Sequence, residues 1–200
     1  SDDGRGGTPL VLVDPVLGDD GELYHTITPA LTDAMRRLCI RADVITPNIT
    51  EACLLSGMSY GDALAMSDSD PERLGRLLTS DLICLGGRLR RAVVTGIRCD
   101  GGKSIATASY DAADGSFALH KQERVGRDYP GTGDIFASVL LGRLLCGSPL
   151  ADAAASASSF AARCAAATLA RGSGEPARNG VALEPLLGSL SGGIPAGKNL

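Results

Sequence analysis

The 200-residue chain contains no tryptophan, and aromatic side chains make up only 4% of it. Base-stacking platforms for single-stranded nucleic acid are built from aromatic faces, so the sequence has little to build one with. It lacks a basic field as well. Lys and Arg number 19 against 23 Asp and Glu, a net charge of −4, with a pI near 5.1. Neither nucleic acid nor an anionic membrane has a positive surface to meet. No apolar run approaches the ~20 residues of a membrane span, and the opening residues show no signal-peptide pattern. The six cysteines (Cys39, Cys53, Cys84, Cys99, Cys146, Cys164) form no Cys-x-x-Cys pair, and His25 and His120 do not complete a zinc set. Free thiols in a reducing compartment are the expectation, which points to the cytoplasm.

What is present is an alternation of short apolar runs and helical patterns. Leu10-Val11-Leu12-Val13, ended by Asp14-Pro15, suits a strand buried on both faces. Thr28-Pro29 supplies a cap and a first helical residue for a helix whose apolar stripe is Leu31, Met35 and Leu38. A strand over residues 43–46 stops at Pro47. A helix over residues 48–56 stops at Gly57, and Asp70-Pro71 opens another. Residues 92–95 make a third buried strand. Residues 103–110 and 116–122 read as a hairpin around Asp114-Gly115. A helix over 135–145 follows, then a long alanine-rich helix introduced by Ser148-Pro149, and a short helix over 181–190. Strands alternating with helices predict a layered α/β sheet, mostly parallel with one antiparallel hairpin. The expected organisation is a linker over 1–9, one domain over 10–190 and a flexible tail over 191–200.

Ligands of such sheets bind beyond the carboxyl ends of the strands, where Asp14, Thr46 and Thr95 fall. Gly131-Thr132-Gly133-Asp134 leads into a helix. Glycines let backbone amides approach an anion, and a helix start adds N–H donors and a positive dipole end. Asp134 there either accepts a proton from an attacking hydroxyl or caps its helix, and spacing leaves both readings open. Asn48-Ile49-Thr50-Glu51 has capping-box spacing, yet the same helix end can face a ligand. Asp14 and Asp19 are oxygen donors of the kind magnesium prefers, or members of a solvated acidic turn. Gly96 to Ser104 superficially resembles a P-loop. It has five residues where the P-loop has four before Gly-Lys, and it runs toward a strand rather than a helix. Lys103 is therefore read as a turn lysine.

Taken in order, Asp14-Pro15-Val16-Leu17-Gly18-Asp19, Ile45-Thr46-Pro47-Asn48-Ile49-Thr50-Glu51, Val93-Val94-Thr95-Gly96 and Pro130-Gly131-Thr132-Gly133-Asp134 with Ile135-Phe136-Ala137 resemble the ribokinase-like superfamily, and within it the pyridoxal/pyridoxamine kinase family. Asn179 to Leu187 also looks like bacterial pyridoxamine kinases. The resemblance implies a ribokinase-like layered α/β sheet and ATP-dependent phosphorylation of the 5′-hydroxymethyl group of pyridoxal, pyridoxamine or pyridoxine. It implies Asp134 as catalytic base in contact with the substrate, and Gly131, Thr132 and Gly133 as an anion hole for the γ-phosphate. Asp14, Asn48, Glu51, Thr95, Gly96, Arg124 and Val125 would line the ATP site. Asp19, Glu51 and Thr46 would serve the metal, with Mg2+ and a monovalent cation such as K+ implied. A homodimer is the implied assembly.

Family members begin with further strands and helices that this sequence does not contain, so the expected sheet lacks its N-terminal strands and has an uncovered edge or face. Two alternatives accompany the main reading. One is a hydroxymethylpyrimidine kinase, although such sequences commonly carry Cys where this one has Asp134. The other is a truncated, non-catalytic nucleotide-binding chain.

Overall fold

The computed structural model describes residues 9–126, 129–171 and 180–193. Five strands form the main sheet in the order β1-β4-β5-β6-β7: β1 (Leu12–Val13), β4 (Val44–Ile45), β5 (Arg91–Cys99), β6 (Ser104–Asp111) and β7 (Ser116–Glu123). β1, β4 and β5 are parallel neighbours. β6 opposes both β5 and β7, so four of the five strands point the same way. This is the expected α/β sheet with its hairpin. β1 is the outer strand, and among the described residues nothing pairs with its far side. A second, two-stranded sheet joins β2 (Gly18–Asp19) to β3 (Glu22–Leu23).

Alternate side chains of the central strands enter two separate cores, as the two-residue period of a strand requires. Ile45, Ala92 and Val94 pack with Leu74, Leu78 and Leu82 on the side of α2 (Ile49–Ser56), α3 (Tyr60–Ser69) and α4 (Pro71–Ile83). Val44 and Val93 pack with Leu140, Ala157 and Phe160 on the side of α5 (Thr132–Leu145) and α6 (Leu150–Ala170). Burial on both faces explains why these strands read as continuous apolar runs. The alanines of α6 let it approach β6 and β7 closely. On the other face, a Cβ added at Gly75 of α4 would lie 2.7 Å from the Ala108 Cβ of β6. That contact accounts for a glycine in a mid-helix position that otherwise costs about 1 kcal/mol.

Several sequence expectations need correction. The first strand is only Leu12–Val13, and β5 runs on to Cys99 instead of ending near Thr95. In α1 (Pro29–Cys39), Met35 packs on the core, but Leu31 and Leu38 are exposed, so the predicted stripe is not buried. α3 was not foreseen. α5 begins at Thr132, one turn before the predicted Ile135, and Ser148 does not cap α6, whose first turn has no side-chain cap. The last element is a 3-10 helix over Glu184–Gly193. The expected linker, apart from residue 9, and tail residues 194–200 lie outside the described residues, as does Asn179.

Candidate functional site

A cleft of about 640 Å³ opens at the carboxyl edge of the parallel strands. Asp14, Asp19, Thr46, Asn48, Glu51, Thr95, Gly96, Arg124, Val125, Gly131, Thr132, Gly133 and Asp134 all line it. These are the residues singled out from sequence. The fold thus gathers side chains up to 120 positions apart, from Asp14 to Asp134, in one place.

Asp14 follows β1 and Thr46 follows β4, and the Thr46 hydroxyl donates to Asp14 Oδ1 at 2.7 Å. Burial pushes the Asp14 carboxyl above its ordinary value; the Thr46 bond opposes this, and the charge of Asp134 adds to it. Asp134 therefore sits within electrostatic reach of Asp14. Between them comes Gly133, where an added Cβ would lie 3.8 Å from Asp14 Oδ2. The start of α5 thus lies beside that carboxylate, at ordinary contact distance from it.

The two readings of Asp134 can now be separated on geometry. The N-cap of α5 is Gly131, in the left-handed region at φ 91°, and no side chain caps the helix. Left-handed backbone of this kind is cheap only for glycine. The Thr132 hydroxyl turns back to donate to Tyr129 O at 3.0 Å. Asp134 occupies the third helical position, is exposed, and lines the cleft. Capping is not its task. The first intrahelical donor is the N–H of Ile135, to Gly131 O at 3.1 Å, so the amides of Gly133 and Asp134 belong to the helix start, where donors and dipole favour an anion.

Asn48 and Glu51 do form the capping box of α2, and the same side chains tie down the cleft wall. Glu51 accepts from the N–H of Leu17 at 2.9 Å and from the N–H of Asn48 at 2.8 Å. Asn48 accepts from the N–H of Glu51 at 2.9 Å and donates Nδ2–H to Gly18 O at 2.8 Å. Burial raises the Glu51 carboxyl to about 7; the amides of Leu17 and Asn48 pull it down, and the charge of Asp14 pushes it up. A cation beside these two carboxylates would relieve both.

Thr95 and Gly96 lie in a bulge of β5, where the pairing with β6 shifts between Val94 and Ile97. Thr95 leaves the ladder to donate its N–H to Pro47 O at 2.9 Å, and Gly96 takes φ 77°. A bulge re-aims its residues, and here it turns both into the cleft.

Sequence reasoning missed the far wall. Thr107 of β6, Gln122 of β7, and Ser158, Ala161 and Ala165 of α6 also line the cleft. The Thr107 and Ser158 hydroxyls are 3.3 Å apart, and Gln122 donates to Ser158 O at 3.2 Å. The small side chains of α6 were the available signal, since they leave room beside the sheet. Lys103 sits in the turn between β5 and β6, as expected of it.

Among the described residues, no three His, Cys, Asp or Glu side chains converge to cage a metal ion. Asp14, Asp19 and Glu51 do offer carboxylate oxygens to the cleft, the ligand type that magnesium prefers. No helix among the described residues is long and apolar enough to cross a membrane.

A profile of the phosphomethylpyrimidine kinase family matches residues 5–178. The pyridoxine/pyridoxal/pyridoxamine kinase of Bordetella avium is 31% identical over 163 residues, covering 80% of this chain and 50% of that protein. Two solved structures are similar. A Bacteroides thetaiotaomicron protein assigned as a phosphomethylpyrimidine kinase, crystallised with pyridoxal, has a TM-score of 0.79 and 32% identity over 91% of this chain and 60% of its own. The pyridoxal kinase of Lactobacillus plantarum has a TM-score of 0.75 and 35% identity over 90% and 60%. The layered sheet and the cleft at its carboxyl edge define a ribokinase-like α/β protein. More particularly, the chain belongs to the phosphomethylpyrimidine kinase family, and the kinship with pyridoxal kinases expected from its motifs holds. It spans about half the length of the curated relatives it matches.

Proposed function

We propose that this cleft transfers the γ-phosphoryl group of ATP to the 5′-hydroxymethyl group of a B6 vitamer, a salvage reaction. The observation that carries the reading is Asp134, exposed in the first turn of a glycine-led helix with no capping duty and with Asp14 across from it. Asp134 accepts the proton as the hydroxymethyl oxygen forms its bond to the γ-phosphorus and the bond to the β-phosphate oxygen breaks. The amides of the Gly131–Gly133 turn stabilise charge on the transferring group; removing one such donor typically costs about 10²–10³ in rate. Asp14, Asn48, Glu51, Thr95, Gly96, Arg124 and Val125 hold the nucleotide. Asp19, Glu51 and Asp14 would hold magnesium through water, and the ion supplies charge neutralisation at the phosphates. Thr46 and Thr95 would offer oxygens to a monovalent cation such as K+.

The proposed setting is the cytoplasm, in keeping with six free thiols, and the proposed assembly is a homodimer, in keeping with the family resemblance. The substrate class is tested by offering pyridoxal, pyridoxamine, pyridoxine and hydroxymethylpyrimidine separately with Mg-ATP. Preferential phosphorylation of a B6 vitamer is expected; preference for the pyrimidine would reassign the substrate, and transfer to none would remove the kinase reading.

A further inference from the structure

The β2–β3 turn lies on the cleft wall, and its contacts run to an arginine that the proposed chemistry leaves without a role. Arg98 lies just beyond the β5 bulge and lines the cleft. It pairs with Asp20 at 2.6 Å, with the arginine side chain 32% exposed and the aspartate 61%. Asp20 sits at the tip of the turn in the left-handed region, φ 50°, a conformation that Asp tolerates better than most residues. The neighbouring contacts point the same way. The Gly21 N–H donates to the Thr50 hydroxyl at 2.9 Å, and a Cβ at Gly21 would lie 2.5 Å from the Tyr60 ring. Burial raises the Tyr60 phenol, the Asp20 charge raises it further, and the Arg98 charge opposes them. Asp20, Arg98 and Tyr60 therefore share one patch of wall.

From that patch the turn reaches the candidate metal residue directly. The Asp20 N–H donates to Asp19 Oδ1 at 2.9 Å, so the Asp20 backbone is one of the groups that orient the Asp19 carboxylate. The other end of the segment is already secured, since Leu17 and Gly18 are held by Glu51 and Asn48. Arg98 meets the opposite end through the Asp20 side chain.

We propose that Arg98 is a positioning residue: through Asp20 it latches the β2–β3 turn against β5 and so sets Asp19 in the cleft. The proposal rests on the kinase reading for its effect on turnover but not for the latch itself. A partly exposed ion pair is a weak tie, so the effect expected of losing it is modest.

The test compares wild type, Arg98→Gln, Arg98→Lys and Asp20→Asn, the last of which keeps a residue that tolerates the left-handed turn but removes its charge. Two readouts are taken: hydrogen exchange at the Asp20 and Gly21 amides, and KM and kcat for Mg-ATP with pyridoxal. Arg98→Gln is expected to speed exchange at both amides and raise the KM for Mg-ATP about two- to fivefold, the scale of one exposed pair, with kcat nearly unchanged. Arg98→Lys is expected to recover both, and Asp20→Asn to match Arg98→Gln. Unchanged exchange in Arg98→Gln overturns the latch, and faster exchange with an unchanged KM overturns its link to Asp19. Should Arg98→Gln fail to fold, lost protection of the Gly21 amide in Asp20→Asn supports the latch and unchanged protection overturns it. A wild type that phosphorylates nothing removes the kinase reading, yet the exchange comparison still decides the latch.

Discussion

At the scale of single residues, Asp134 and Glu51 are both carboxylates at helix starts, and their surroundings set them apart. Asp134 is exposed and makes no cap, so Asp134→Asn should leave the fold and Tm intact while lowering kcat by about 10²–10⁴, the usual range for a lost general base. Steady-state kinetics alongside a thermal melt checks this. Glu51 is buried and accepts hydrogen bonds from two backbone amides, with its carboxyl raised from 4.5 to about 7. A raised carboxyl binds its proton more tightly in the folded state. Its contribution to stability is therefore greatest below about pH 4.5 and is lost as pH rises toward about 7, on the order of 3 kcal/mol in total. The Tm of wild type relative to Glu51→Gln should fall across that window. A difference that stays flat with pH, or grows, would contradict the assigned shift. Both residues were legible from the sequence as chemistry-bearing, but not their division of labour. The spacing Asn48-x-x-Glu51 announces a cap, and only the contact between Glu51 and Leu17, 34 residues away, shows that the cap also holds the cleft wall.

At the scale of elements, the strands buried on both faces and the helices with strong caps were readable, because their signals are local. Thr28, Asn48 and Asp70 each accept from the backbone as expected of N-caps, and Gly57 closes α2 in the left-handed region. α3 was not readable. It has a cap in Ser59, but Ala63 is its one buried aliphatic residue and Leu64 is exposed; with Tyr60 and Met66 only partly buried, its apolar stripe is short and weak. β2 and β3 are two residues each and are held by Asn48, Glu51 and Thr50, contacts made across the fold. The far wall of the cleft depends likewise on α6 meeting β6, which places Ser158 beside Thr107. The packing of α4 yields a prediction of its own. Gly75→Ala gains about 1 kcal/mol of helix propensity, but its methyl would meet the Ala108 Cβ at 2.7 Å, and overpacking costs about 1–3 kcal/mol. The net effect expected is a lower Tm, measured by calorimetry; an unchanged or higher Tm would show that α4 can shift away from β6.

At the scale of the whole molecule, two cores clasp one sheet, and the cleft is the place where strand ends, the α5 start and the α6 flank meet. Ligand binding there bridges both layers. Mg-ATP at about 100 times its Kd should add about 2.7 kcal/mol to stability by mass action, a rise of about 2–4 °C in Tm for each kcal/mol in a chain of this size. ATP without magnesium should give less, since the carboxylates of Asp14, Asp19, Glu51 and Asp134 would then meet the phosphates unscreened. The most direct measurement is transfer of labelled γ-phosphate from Mg-ATP to pyridoxal by the wild-type protein and by Asp134→Asn, with the fold of each verified. Phosphorylation by wild type and its near-complete loss in the folded variant is the predicted result. Equal transfer by the two proteins would contradict Asp134 as the proton acceptor, and no transfer by the wild type would contradict the kinase reading itself.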